Sequence, residues 1–169
     1  MTEEKKKSNE TSGSEIVDLT INGKQYQVQV DNNWTLQRTL RYKLGLKGSS
    51  KTWCDQGACG SCAVIVDGKP YLSCMTLTVE CNGKSIETIE GIAEAKHPLI
   101  ESYIKHEAIQ CGYCTPGFIV TAKALLDRNP DPTEDEVKQA LSGNLCRCGT
   151  LPRHTQAVLD AAKVLRGEG

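Results

Sequence analysis

The spacing of the cysteines constrains this chain more than any other feature of its sequence. A first run reads Cys54-Asp-Gln-Gly-Ala-Cys59-Gly-Ser-Cys62, and Cys74 follows it at a distance. The spacing C-x4-C-x2-C with a distant fourth cysteine is typical of the loop that wraps a plant-type 2Fe-2S cluster. The sequence therefore predicts a 2Fe-2S site on Cys54, Cys59, Cys62 and Cys74.

A second set of cysteines reads Cys111-Gly-Tyr-Cys114 and, further along, Cys146-Arg-Cys148. Four soft thiolates with this spacing suit either zinc or an iron–sulfur cluster. Both pairs precede predicted helix starts, where unsatisfied N–H groups favour an anionic group such as a thiolate-ligated cluster. An iron–sulfur cluster is favoured at this second site, and zinc stays open as the alternative.

The nine cysteines also bear on the cellular compartment, because eight of them fall into the two sets and only Cys81 is left over. The N-terminus lacks the apolar stretch of a secretory signal, so we expect a reducing cytoplasm and metal ligation rather than disulfides. The net charge of −1 and the mean hydropathy of −0.39 predict neither nucleic-acid binding nor a membrane span. Cys81 is expected to be a small buried side chain.

The N-terminal half has the pattern of a small sheet crossed by one helix. Residues 1–14 are polar and predict a disordered tail. Alternating apolar residues on both sides of Asn22-Gly23 predict a hairpin, and Thr35 can cap a helix that ends at Gly45. Further strands are predicted at 62–66, at 71–76 with Cys74 on the strand, and at 85–89.

After Gly91 the pattern becomes helical. Helices are predicted over 98–107, 115–128 with Thr115 as N-cap, 133–143 with a capping box formed by Thr133 and Glu136, and 152–166. The predicted domains are therefore 15–90 and 91–169. Each is small enough that bound metal is expected to supply part of its folding free energy.

Other candidate residues give weaker signals. His97, His106 and His154 occur in polar helical contexts and are expected at the surface rather than as ligands. Trp53 is expected either to cover the first cluster or to pack in the core. The sequence has no Ser/His/Asp arrangement, paired-carboxylate site or phosphate loop, so substrate conversion is expected on another chain.

These motifs together resemble the small iron–sulfur subunit of the molybdenum hydroxylases, the xanthine dehydrogenase, aldehyde oxidoreductase and isoquinoline oxidoreductase family. The resemblance covers about residues 15–165 and rests on the first cysteine run, on Gln110-Cys111-Gly-Tyr-Cys114-Thr-Pro-Gly117 and on Gly143-Asn-Leu-Cys146-Arg-Cys148. It implies an α+β fold, in which an N-terminal plant-type ferredoxin β-grasp domain precedes a C-terminal four-helix bundle domain. Each domain is expected to hold one 2Fe-2S cluster.

The resemblance also implies roles. The cluster on Cys111, Cys114, Cys146 and Cys148 is expected nearest to a molybdopterin, in its cytosine dinucleotide form, on a large catalytic partner subunit. Gln110 and Cys148 are expected to contact that pterin. The cluster of the first run is expected to relay electrons outward, to FAD on a medium subunit or to another acceptor. The continuation Cys148-Gly-Thr resembles the branch with isoquinoline and aldehyde oxidoreductases, some of which lack a flavin subunit.

The leading hypothesis is therefore an electron-transfer subunit in a hetero-oligomer, an oxidoreductase component without its own substrate-converting site. Two alternatives compete with it. One is a freestanding two-cluster ferredoxin carrier, and the other is a zinc-stabilised interaction module. A cytoplasmic location is expected, and export of the folded complex on a partner's signal stays open.

Overall fold

The sheet and helices follow from the turn and cap signals of the sequence. A computed structural model describes residues 13–168. Its strands are β1 (Ser14–Ile21), β2 (Lys24–Asp31), β3 (Ala63–Val66), β4 (Lys69–Leu72) and β5 (Ser85–Glu87). Its helices are α1 (Leu36–Tyr42), α2 (Ile89–Glu94), α3 (Pro98–Lys105), α4 (Thr115–Arg128), α5 (Glu134–Leu141) and α6 (Leu151–Leu165).

The five strands form one mixed sheet in the order β2-β1-β5-β3-β4. The two hairpins are antiparallel, and β5 joins them by pairing parallel to β1 and antiparallel to β3. Asn22 and Gly23 both have positive φ, of 50° and 77°, which is the conformation of a type I′ turn. The predicted hairpin at Asn22-Gly23 is therefore confirmed.

Strand β3 is buried on both faces and separates two apolar clusters. Val64 and Val66 point to a cluster that includes the β1 face and Leu36 and Leu40 of α1. The alternate residues Ala63 and Ile65 pack with the helical cluster, which is built mainly from α3 to α6. The sheet therefore lies between α1 on one side and the C-terminal helices on the other.

Among these local predictions one is confirmed, two are wrong, and one helix was missed. The capping box is present, since Glu136 N donates to Thr133 Oγ1 and Thr133 N donates to Glu136 Oε2. Cys74 lies in a 3-10 turn (Ser73–Met75) after β4 and not on the strand. Cys114 is the N-cap of α4, so Thr115 is its first residue instead. The short helix α2 was not predicted, because its few residues give no clear periodicity.

Two predictions concern the ends of the chain and membrane association. Residues 1–12 of the predicted disordered tail lie outside the described residues, and Ser14 already begins β1. Within residues 13–168, no helix is long and apolar enough to cross a membrane.

Two hydrogen bonds, one from a main-chain N–H and one from a side-chain amide, join the segment between α5 and α6 to the loop before β3. Leu145 N donates to Cys59 O at 2.9 Å, and Asn144 Nδ2 donates to Gly60 O at 3.1 Å. Helix α4 enters the same contact through Gly117, where an added Cβ would lie 2.3 Å from Gly60 O. The three segments can approach this closely only because Gly117 has no side chain.

Replacing Gly117 with alanine should therefore destabilise the protein even though alanine favours helix formation. A Cβ 2.3 Å from a main-chain oxygen forces the loop away from α4, and we expect a loss of about 1–3 kcal/mol in the free energy of unfolding. Chemical denaturation measures it. The matched control is Gly143→Ala, because an added Cβ there meets no atom of the described residues within 4 Å. Equal stability of the two variants would contradict this packing.

Candidate metal centres

The loop before β3 carries three of the four cysteines of the first thiol group, defined as Cys54, Cys59, Cys62 and Cys74. Three of its residues adopt positive φ, namely Asp55 at 49°, Gly57 at 76° and Gly60 at 73°. These turns wind the main chain around one point. Glycine adopts positive φ without steric cost, which explains why Gly57 and Gly60 occupy two of these three positions.

Two neighbouring elements hold this loop. Gln37 on α1 donates through Nε2 to Lys51 O at 2.7 Å and to Asp55 Oδ1 at 2.9 Å. Ser73 donates to Cys62 O through both its hydroxyl, at 2.7 Å, and its main-chain N–H, at 3.2 Å. Because Ser73 precedes Cys74, this pair of bonds brings the fourth thiol to the other three.

The thiols of the first group have unlike environments. The N–H of Gln56 does most to lower the pKa of Cys54 to about 7, with burial opposing it and the Cys59 thiol and further loop N–H groups assisting. Burial raises the pKa of Cys74 to about 12, and the adjacent Cys62 raises it further. The Cys54 thiol therefore ionises readily, whereas the Cys74 thiol would give up its proton only when a metal replaces it.

The second thiol group, defined as Cys111, Cys114, Cys146 and Cys148, lies where α4 and α6 begin. The sulfurs of Cys111 and Cys148 are 3.5 Å apart, and those of Cys114 and Cys146 lie within 4.8 Å of each other. Gly112 and Gly149, with φ of 76° and 84°, turn the chain beside the cysteines. The convergence of two helix starts on this group is confirmed.

The same contrast in pKa occurs here. Burial, followed by the neighbouring Cys146 thiol, raises the pKa of Cys114 to about 12. For Cys146, burial acts in the raising direction, but hydrogen bonds from the Thr150 hydroxyl, the Thr150 N–H and the Cys148 N–H lower its pKa to about 7. Main-chain and hydroxyl donors therefore point at the sulfurs, as a thiolate-ligated centre requires.

These residues fit a 2Fe-2S cluster at each place. Each group offers four cysteine sulfurs and main-chain N–H groups aimed at them, which is the donor set of such clusters. Four thiolates so close together repel one another, and ferric and ferrous ions offset that repulsion. The residues of the first group would hold one cluster, and those of the second group would hold the other.

Lys51 joins the two cysteine loops, although sequence reasoning did not single it out. Its Nζ donates to the main-chain oxygens of Gly112 and Tyr113, at 3.2 and 3.0 Å, and lies 4.7 Å from the centre of the Tyr113 ring. Tyr113 OH donates in return to Thr52 O at 3.0 Å. Burial lowers the pKa of Lys51, whereas the neighbouring Cys114 and Cys111 raise it.

Trp53 lies beside the second group, although it directly precedes Cys54 of the first. It is 46% exposed and meets the Tyr113 ring edge to face at 5.7 Å, so the expectation of core packing is wrong. With the cysteines and one arginine it borders a cleft, whose lining residues are Trp53, Cys111, Tyr113, Cys114, Arg147 and Cys148. Gln110 is exposed next to this cleft.

One histidine prediction is wrong. His154 is completely buried, with its ring stacked on Phe118 at 4.0 Å between centroids, and burial lowers its pKa to about 4. His97 and His106 are half-buried, and His97 accepts the Leu99 N–H as the N-cap of α3. The spacing of His154 with Val158 and Ala161, at i+4 and i+7, was the signal that places it on the buried stripe.

Cys81, the ninth cysteine, is fully buried in the apolar cluster under the sheet, as predicted. Burial raises the pKa of its thiol. It belongs to neither thiol group and is therefore a core residue.

Comparison with known proteins agrees with this geometry. Residues 20–108 match the family described as "2Fe-2S iron-sulfur cluster binding domain", and residues 88–159 match the "[2Fe-2S] binding domain" family. The nicotine 6-hydroxylase small subunit of Paenarthrobacter nicotinovorans is 44% identical over 146 residues, which is 86% of this chain and 88% of that protein.

Two solved structures are also similar. Quinoline 2-oxidoreductase from Pseudomonas putida 86 matches at 42% identity with a TM-score of 0.81, over 92% of this chain and 99% of that one. The aldehyde oxidoreductase from Desulfovibrio desulfuricans matches at 42% identity with a TM-score of 0.87, over 91% of this chain but only 17% of that one. The chain thus spans about a sixth of that longer enzyme. This chain belongs to the family of 2Fe-2S iron–sulfur subunits of the molybdenum hydroxylases.

Proposed function

We propose that this chain is the electron-transfer subunit of a molybdenum hydroxylase and that each thiol group holds one 2Fe-2S cluster. The ligands are Cys54, Cys59, Cys62 and Cys74 for one cluster and Cys111, Cys114, Cys146 and Cys148 for the other. Substrate conversion takes place on a large molybdopterin-binding subunit. The matching small subunit of a nicotine hydroxylase and the two cluster-binding families support this function.

The observation that carries the relay function is the hydrogen bond from Leu145 N to Cys59 O, at 2.9 Å. Cys59 belongs to the first thiol group, and Leu145 directly precedes Cys146 of the second. The main chain of one group is thus bonded to the main chain of the other. A chain that only stored electrons, or only bound zinc, needs no such contact between its two sites.

The proposed division into domains has the same basis. A plant-type ferredoxin domain of the β-grasp kind, residues 15–90, would hold the first cluster, and a four-helix bundle domain, residues 91–169, the second. Two apolar clusters support this division, one around the β1 face and α1 and the other among the C-terminal helices. Strand β3 contributes to both clusters, so the two units share a wall.

The chain's own residues prepare each site for one-electron chemistry, which a 2Fe-2S cluster supplies when it is bound. Cys59, Cys62, Cys74 and Cys114 are buried, which keeps water from half of the sulfur ligands. Main-chain N–H groups donate to Cys54 and Cys146 and stabilise negative charge on the sulfurs. Lys51 adds a positive charge near Cys111 and Cys114.

A docking face for the large subunit surrounds the second thiol group. Tyr113 is 39% exposed, Leu145 51% and Leu151 49%, and each lies within three residues of one of its cysteines. Exposed apolar residues that cluster in this way mark a protein interface. Gln110 and Cys148, both near this face, would contact the pterin. Such a face favours an obligate subunit over a freestanding carrier.

Three further features belong to the same proposal. The molybdopterin is of the cytosine dinucleotide form, and the outer acceptor is FAD on a medium subunit or another redox partner. The complex works in the cytoplasm, where the nine cysteines remain reduced until metal is inserted.

Replacing one ligand in the second group should remove one centre and spare the other. We expect Cys148→Ser to lose or broaden one of two EPR signals of the reduced protein and to interrupt turnover in the assembled complex. The matched control is Cys81→Ala, which removes the ninth cysteine and should keep both signals and about four irons per chain. Iron analysis and low-temperature EPR measure both variants.

Other outcomes of this experiment identify the alternatives. Unchanged acceptor-linked activity in Cys148→Ser would refute the assigned order of the clusters. A wild-type chain with a single EPR signal and about two irons would mean that the second site holds zinc or is empty. A chain that purifies from its source as a free monomer would favour the freestanding carrier.

Removal of iron should weaken the fold. Without metal, four close thiols at each site lose their common partner, and the folding free energy supplied by metal binding is lost. We expect the melting temperature of iron-free protein to fall by at least about 10 °C, which corresponds to a loss of about 4 kcal/mol for a chain of this size. Circular dichroism measures it, and native-like melting without iron would contradict the expectation.

A further inference from the structure

The buried imidazole of His154 is connected to a proposed cluster ligand through one hydroxyl. Its Nε2 lies 2.9 Å from Thr150 Oγ1, and Thr150 Oγ1 lies 3.1 Å from Cys146 Sγ. His154 has no solvent exposure, and its ring is stacked on Phe118. Burying a polar ring in an apolar core is costly unless its polar atoms are used.

The direction of each hydrogen bond follows from the donors available. A threonine hydroxyl has one hydrogen, and a cysteine sulfur that ligates iron can only accept. Thr150 therefore donates to Cys146 Sγ and must accept from the Nε2–H of His154. The opposite ring nitrogen, Nδ1, then carries no hydrogen, and within residues 13–168 it has no hydrogen-bond partner.

The two hydrogen bonds from His154 to Thr150 and from Thr150 to Cys146, here called the relay, act on one sulfur of the second thiol group. A hydrogen bond to a ligating sulfur withdraws electron density from the iron and stabilises the reduced state, which raises the reduction potential. The Nε2–H of His154 polarises the Thr150 hydroxyl, so the hydrogen bond from His154 strengthens the hydrogen bond from Thr150 to Cys146 Sγ. Within the described part of the chain, none of the other seven predicted ligands has a side-chain hydroxyl at hydrogen-bond distance.

We propose that His154 and Thr150 are positioning residues that raise the reduction potential of the cluster held by the second thiol group. The proposal rests on the ligand assignment made above. It gives a function to a histidine that is neither a ligand nor a surface residue. It also explains why the buried ring has one hydrogen-bonded nitrogen, on the side that faces Cys146 through Thr150.

The test is an EPR-monitored redox titration of the full chain with both clusters in place, the first cluster serving as internal reference. Thr150→Val removes the hydroxyl, and we expect the reduction equilibrium of the second cluster to shift about tenfold toward the oxidised form. For a one-electron couple this is about 59 mV. Thr150→Ser keeps the hydroxyl and should titrate as the wild type does.

His154→Phe keeps an aromatic ring against Phe118 but removes the Nε2–H. We expect a shift of about threefold in the same direction, because the Thr150 hydroxyl still donates but is less polarised. The matched control is Tyr103→Phe, which removes a buried hydroxyl that has no hydrogen-bond partner among the described residues, beside the His154 ring, and leaves both hydrogen bonds of the relay in place. It should leave the potential unchanged.

The outcomes separate this proposal from the function on which it rests. A wild-type chain without a second EPR signal means that the proposed ligand set fails. Two signals with an unchanged potential in Thr150→Val overturn the relay, and a wild-type potential in His154→Phe overturns the part played by His154. If Thr150→Val does not retain iron, His154→Phe becomes the deciding variant. A reduction potential of its second cluster equal to that of Thr150→Ser would then overturn the proposal.

Discussion

The arrangement of both thiol groups depends on the close approach of three main-chain segments around Gly60. The loop of the first group, the segment before Cys146 and the first turn of α4 meet there, through Leu145 N to Cys59 O and through the bare Cα of Gly117. Cys114 is the N-cap of α4, so the same contact also positions the second group. A packing defect here would move both sites relative to each other, whereas a defect elsewhere in either apolar cluster would act on one of them.

The two thiol groups solve the same electrostatic problem in similar ways. Each contains a thiol with a pKa of about 7, Cys54 or Cys146, that receives hydrogen bonds from the main chain. Each also contains a buried thiol with a pKa of about 12, Cys74 or Cys114. A metal would therefore first meet a sulfur that is partly ionised near neutral pH, and the buried sulfurs would release their protons only when metal replaces them. At the proposed sites, metal binding and deprotonation of the buried thiols would thus be coupled.

Local sequence signals were sufficient for most of the helices and strands. The Asn22-Gly23 turn and the Thr133 capping box depend on neighbouring residues only, so they were predicted correctly. The cap of α4 was misassigned by one residue, because a cysteine that also serves a metal site is not a usual N-cap. The contacts of Lys51 with Gly112 and Tyr113 depend on a meeting of two loops 61 and 62 residues apart, for which the sequence carries no local signal.

His154 shows how a sequence can contain the needed signal and still mislead. Its neighbours Arg153 and Gln156 are polar and exposed, which suggested a surface residue, but helical spacing places it on the stripe with Val158 and Ala161. Hydrophobicity alone does not distinguish a polar residue at the rim of a stripe from one in its centre. What distinguishes them is a hydrogen-bond partner in the interior, and here Thr150 is that partner, one helical turn earlier at i−4. Thr150 itself lies two residues after Cys148, so the start of α6 brings the metal site and the apolar core into contact. A buried histidine at this position is therefore a consequence of where the helix begins, and its chemistry is directed to the sulfur of Cys146 because no solvent is available to it.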